Sequence, residues 1–157
     1  MFNADELFHV CARLGISLSL PPAPVANYVA YNFDGSILWI SGQLPFVDGK
    51  ISCTGIVGDT VDPTDAAVAA KVASINLLSQ LHNFLIQNNR QVKGCLRLGG
   101  FIASVPKFTG HSLVMNGASD IIASALAPHG RHARTSIGVA SLPLGASVEV
   151  EGQFLIA

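Results

Sequence analysis

The stretch that decides the fold runs Ala133-Arg134-Thr135-Ser136-Ile137-Gly138-Val139-Ala140-Ser141, turns through Leu142-Pro143-Leu144-Gly145-Ala146, and continues Ser147-Val148-Glu149-Val150-Glu151-Gly152-Gln153-Phe154-Leu155-Ile156. Its halves alternate apolar and polar residues with a period of two, as half-buried strands do, and Pro143 and Gly145 interrupt the run between them. Strands are therefore expected over 133–141 and 147–156. Side chains two apart share a face, so Ile137 and Val139 are expected against the helices together with Val148, Val150 and Phe154. The other parity carries Arg134, Ser136, Gly138 and Ala140, then Ser147, Glu149, Glu151 and Gln153. That polar strip, with one guanidinium and two carboxylates, reads either as a solvated sheet face or as the wall of a site.

Outward from there, Val92 to Val105 reads as a strand ending at Pro106, and Ser112 to Leu126 as a helix stopped by Pro128. A long helix should begin at Asp62-Pro63-Thr64-Asp65, where Asp62 caps, Pro63 fits the first turn and Asp65 suits the positive helix end. Its apolar face runs from Ala66 through Leu77, Leu81 and Leu85, Lys71, Asn76, Gln80 and Asn83 stay polar, and it ends near Asn88 to Arg90. Asp34-Gly35 separates the β-rich runs Tyr28–Phe33 and Ser36–Ser41 as a tight hairpin. Asp48-Gly49 turns Gln43–Val47 into a third, shorter strand over Lys50–Thr54. Asp5 to Leu14 has helical spacing with Gly15 as its stop. The order helix, three strands, helix, strand, helix, two strands predicts one α+β domain over residues 1–157, with helices on one face of a mixed sheet and a helical extension over roughly residues 1–25.

Composition narrows the function. The 157 residues are 50% hydrophobic but only 12% charged, about half the usual charged share, so a subunit interface is expected to take up the apolar surplus. A formal charge of -1 leaves no surplus of cations for a row of phosphates and disfavours nucleic acid as a partner. The uncharged stretch Leu14 to Phe33 is long enough to span a bilayer, but Pro21, Pro22 and Pro24 break it. With no basic residue ahead of an apolar run in Met1 to Glu6, a cytoplasmic location is expected. Cys11, Cys53 and Cys95 are isolated and expected to be reduced. The five histidines show no ligand spacing, so no metal is expected.

Three segments together resemble the YjgF-like family, also called the Rid or reactive intermediate deaminase family: Ser41-Gly42-Gln43-Leu44-Pro45, Val114-Met115-Asn116, and the Arg-bearing strand with its Leu142-Pro143 turn and Glu-bearing strand. The resemblance covers the chain from about Asn27 onward. It implies a chorismate-mutase-like fold and a homotrimer with a cleft between neighbouring subunits. It also implies hydrolysis of reactive enamines and imines to 2-oxo acids and ammonia, and the family's history includes an older endoribonuclease label. In many relatives a Cys stands two residues after the Arg; here Ser136 does, so no thiol acts there. Residues 46–61 are longer than in the compact deaminases.

The residues support a chemistry of their own. Arg134 offers a planar fork of donors and keeps its charge, so in a partly dry cleft it can hold a carboxylate at two points; its other reading is an exposed strand-end charge. A protonated imine is already electrophilic, so its hydrolysis needs a placed water more than a strong nucleophile, and no cofactor is expected. Glu149 matches the family position that orients water or passes a proton; alternatively it pairs with Arg134 for stability. Tyr28 either closes over a ligand or packs in the core, and Asn116 either contributes an amide contact or caps the helix. Ser41 and Gly42, with Gln43, form a bend beside the cleft or a structural turn. Ser136 lies on the Arg134 parity. His129, Arg131 and His132 read as solvated loop residues or a basic rim. Three functions follow: a deaminase using Arg134 and Glu149, a non-catalytic binder of small carboxylates, and, ranked last, a ribonuclease.

Overall fold

The structure, a computed structural model of the single chain, describes residues 1–19 and 28–157. In chain order the elements are α1 (Ala4–Arg13), β1 (Tyr31–Asp34), β2 (Ile37–Gln43), β3 (Phe46–Val47), β4 (Lys50–Ile51), α2 (Pro63–Asn88), β5 (Val92–Ala103), α3 (His111–Ala125), β6 (Ala133–Val139) and β7 (Val148–Ile156). Five strands form one mixed sheet in the order β1-β2-β7-β5-β6, in which only β5 and β6 run parallel, while β3 and β4 make a separate ribbon. The expected α+β architecture is present, with one strand more than the sequence order implied, because the Asp48-Gly49 turn makes its own ribbon. The proline-rich passage lies outside the described residues.

Local chemistry accounts for the element ends. The Asp62 side chain accepts from the Thr64 amide at 2.8 Å, Pro63 occupies the first turn, and Asn89 closes α2 in the left-handed region at φ 48°. An Asn3/Glu6 capping box starts α1, and Gly15 follows it at φ +70°. Phe2 pairs with Val92 through two 2.8 Å backbone bonds, which ties the N-terminal segment to β5.

The core lies between the sheet and its helices. Leu38, Leu98, Val148, Val150 and Phe154 of the sheet are buried against Leu77, Leu81 and Phe84 of α2 and Val114, Met115 and Ile122 of α3. Helix α2 is also covered by α1 through Leu7 and Cys11, so Gln80, expected on a polar face, is buried along with Ser74 and Ser79. The two serines return their hydroxyls to carbonyls one turn back, at 2.9 and 3.0 Å. Asn76 donates to the carbonyls of Leu44 and Phe46 and so anchors the start of the 46–61 segment on α2.

The faces of β7 match expectation, but those of β6 do not. Leu98 pairs with both Arg134 and Gly152, whereas Phe101 pairs with both Ile137 and Glu149. Paired residues share a face and residues three apart do not, so Arg134 and Ser136 lie on the helix side, while Ile137 and Val139 face away with Glu149 and Glu151. Ile137 is accordingly 45% exposed. The reason is the partner layer. The part of α3 that covers β6 presents polar side chains, and it sits so close that a Cβ on Gly100 would meet the Met115 sulfur at 2.3 Å.

Candidate functional site

Arg134 reaches from β6 to α3 and is held there by three hydrogen bonds. Its Nη1 donates to Asn116 Oδ1 at 3.1 Å and to Ser119 Oγ at 3.0 Å, and its Nη2 donates to the Ser112 carbonyl at 3.3 Å. All three acceptors are neutral, and the one ion pair among the described residues is Arg97–Glu151, at 3.2 Å. The guanidinium has five N–H donors, so the Nε–H and one Nη2–H remain without a partner among the described residues. These two donors are what the guanidinium has left for an anion. Asn116 does not cap α3, whose N-cap is Gly110; its amide oxygen accepts from Arg134. Ser136, two residues beyond Arg134, shares its face.

Ser119 and His132 extend this cluster. Ser119 Oγ lies 3.0 Å from His132 Nε2, and His132 Nδ1 lies 2.7 Å from the Gly130 carbonyl. His132 is thus bound to the cluster and is not a solvated loop residue. Ser119 was legible in principle, because a position three after Asn116 falls on the same helix face.

Glu149 is not part of this group. The strand β5 separates β7 from β6, and Glu149 faces away from the helices, so the polar strip inferred from sequence is divided between the two faces of the sheet. Its neighbours are instead the Ser41-Gly42 bend, where the pairing of β2 with β7 shifts register between Ile40 and Gln43. A Cβ on Gly42 would lie 1.7 Å from Glu149 Oε1, so only glycine leaves room for that carboxylate. Burial, and secondarily the charge of Glu151, hold the Glu149 carboxyl above the ordinary carboxylate range.

Ser41 donates its hydroxyl to the Val29 carbonyl at 2.8 Å and accepts no role toward Arg134; it clasps the chain ahead of β1. Tyr28, beside that clasp, is 49% exposed and not in the core. The same face carries a cavity of about 190 Å³ lined by Asn32, Trp39, Ser41, Arg97, Glu151 and Gln153. Arg97 escaped the sequence reading, its signal being a lone charge inside an otherwise apolar run. Tyr28, Ser41, Gly42 and Glu149 thus gather near β1, β2 and β7, whereas Arg134, Asn116 and Ser136 gather at the opposite sheet edge.

Among the described residues no group of three or more His, Cys, Asp or Glu side chains could hold a metal, and no helix is long and apolar enough to cross a membrane. Burial pushes the Cys11 thiol up to about 11 and the Cys95 thiol up to about 12, so neither is a ready nucleophile.

The chain is 44% identical over 140 residues to Protein TCP17 of Trypanosoma cruzi, covering 88% of this chain and 87% of the relative. The crystal structure of Atu1372 from Agrobacterium tumefaciens, a protein of unknown function, superposes with a TM-score of 0.88 at 40% identity, covering 98% of this chain and 94% of that one. Escherichia coli TdcF, solved with bound serine, shares the fold at a TM-score of 0.58 and 20% identity, over 89% of this chain and 96% of its own. The family described as "YjgF/chorismate_mutase-like, putative endoribonuclease" matches residues 9–152. The protein belongs to that YjgF/chorismate-mutase-like family.

Proposed function

We propose that this protein hydrolyses reactive 2-imino and enamine acids to 2-oxo acids and ammonia, in a cleft between subunits of a homotrimer. The observation that carries the reading is Arg134: a permanent cation, held by neutral acceptors, with two N–H donors left over among the described residues. A substrate carboxylate on those donors is oriented at two points. Water then adds to the protonated imine carbon, the C–N bond of the resulting carbinolamine breaks, and ammonia leaves with the proton that the water released. An enamine joins this route once its β-carbon is protonated. The carboxyl of Glu149, held above the ordinary range by burial and by the charge of Glu151, suits it to accept and return such a proton.

Because Arg134 and Glu149 face opposite sides of one sheet, a shared site takes them from different subunits. Tyr28, Ser41 and Gly42 then belong to the wall supplied with Glu149. Exposed Trp39 and Ile137 on the face away from the helices give that assembly an apolar surface to cover. The bound serine of TdcF supports a small carboxylate-bearing ligand. Three free cysteines, of which Cys11 and Cys95 are buried, suit a reducing compartment such as the cytoplasm. The second reading, a sensor that binds 2-oxo acids without turnover, rests on the same arginine and on its having no carboxylate partner among the described residues. Ribonuclease activity ranks below both, for a chain of net charge -1.

A coupled assay that generates 2-iminoacids in situ and follows ammonia decides among these. Arg134→Ala is expected to lose roughly 100-fold in kcat/KM, about 3 kcal/mol of transition-state binding, while remaining folded. Full turnover by that variant contradicts the assignment. Tight 2-oxo acid binding with no ammonia release by the wild type favours the sensor.

A further inference from the structure

We infer that Ser119 and His132 are positioning residues that fix the Arg134 fork, with His132 neutral and protonated on Nδ1. This inference rests on the reading of Arg134 as the carboxylate anchor. A carbonyl oxygen only accepts, so the 2.7 Å contact with Gly130 requires the hydrogen on Nδ1. Gly130 is itself wedged against α3: a Cβ there would meet the Ile122 carbonyl oxygen at 2.4 Å, so the acceptor is held in place. The remaining nitrogen, Nε2, faces Ser119 Oγ, which also accepts from Arg134 Nη1.

A bare Nε2 resolves the sharing. The serine hydroxyl then donates to the imidazole and turns a lone pair to the guanidinium. A doubly protonated ring would instead aim two cationic donors at one oxygen and leave the hydroxyl hydrogen without either neighbour as acceptor. With Ser119 oriented by His132, both hydrogens of Nη1 are engaged, on Ser119 and Asn116, and the guanidinium plane cannot turn without breaking them. The free edge therefore points one way. The arrangement imposes the Nδ1–H tautomer, whereas a neutral histidine in water favours Nε2–H.

Long-range ¹H–¹⁵N spectra of the wild-type protein read the tautomer directly. A bare Nε2 and a protonated Nδ1 on His132 are expected; the Nε2–H tautomer overturns the inference. The Arg134 guanidinium ¹⁵N signals provide the second readout: the two Nη groups should be distinct in the wild type and averaged by rotation in Ser119→Ala, and equal averaging in both overturns it. Titration with 2-oxobutyrate is the third. Ser119→Ala should weaken binding about tenfold, the loss expected for one hydrogen bond to a charged group, with a matching rise in KM for the imino acid, kcat retained, and rescue by Ser119→Thr. An unchanged Kd in Ser119→Ala overturns the positioning role. If the wild type neither binds 2-oxobutyrate nor turns over iminoacids, the carboxylate-anchor reading falls, and the two nuclear resonance readouts still decide whether Ser119 and His132 hold the arginine.

Discussion

Glu149 is a carboxylate set against a glycine backbone with no ion pair or hydrogen bond among the described residues, and its neighbour Glu151 is spent on Arg97. Its raised carboxyl means that the folded chain binds this proton more tightly than the unfolded chain does. Stability from this group is therefore complete below the ordinary carboxylate range and falls as pH rises from there through the raised value. Glu149→Gln carries no charge and is expected to melt above the wild type at pH 7, with the gap closing below about pH 4, near the unperturbed value of a glutamate. A wild type that melts higher than the variant at pH 7 contradicts this account. At this scale the sequence was partly transparent. Arg134, Asn116 and Ser136 were identifiable through the segments that carry the family resemblance, and they do gather at one edge. Ser119 and Arg97 were not singled out, because a serine inside a helix and an arginine inside a strand look ordinary until the element opposite them is known.

The elements were legible where local chemistry decides them. The cap at Asp62-Pro63, the Asp34-Gly35 hairpin and the Gly15 stop each depend on a few adjacent residues. The face of β6 was not legible, since alternation says which residues share a face but not which layer covers it. Arg134 of its polar row is bonded to Asn116 and Ser119 of α3, and its apolar row is left outside. That arrangement depends on α3 being clamped close to α2. A Cβ on Gly117 would lie 2.0 Å from the Ala67 carbonyl oxygen, a backbone atom that cannot swing aside. Gly117→Ala is expected to cost about 1–3 kcal/mol through forced separation of the helices, even though alanine is the better helix former. Thermal denaturation checks it, and an unchanged or raised Tm contradicts the close packing.

For the whole molecule, the division of the candidate residues between two faces of one sheet is why the proposed shared site draws on another copy of the chain. The low charge content pointed the same way from the sequence, but composition carries no direction and left open which surface associates. The proposed pairing sets the Arg134 edge of one subunit against the Glu149 face of the next. The most direct test mixes two impaired variants. Arg134→Ala and Glu149→Gln, each folded and each with iminoacid turnover strongly reduced, are co-refolded in equal amounts and assayed for ammonia release. Random assembly places an intact Arg134 beside an intact Glu149 at about a quarter of the interfaces, so activity should return to about a quarter of the wild-type value. A mixture no more active than its components would show that the two residues do not meet across subunits and would contradict the account.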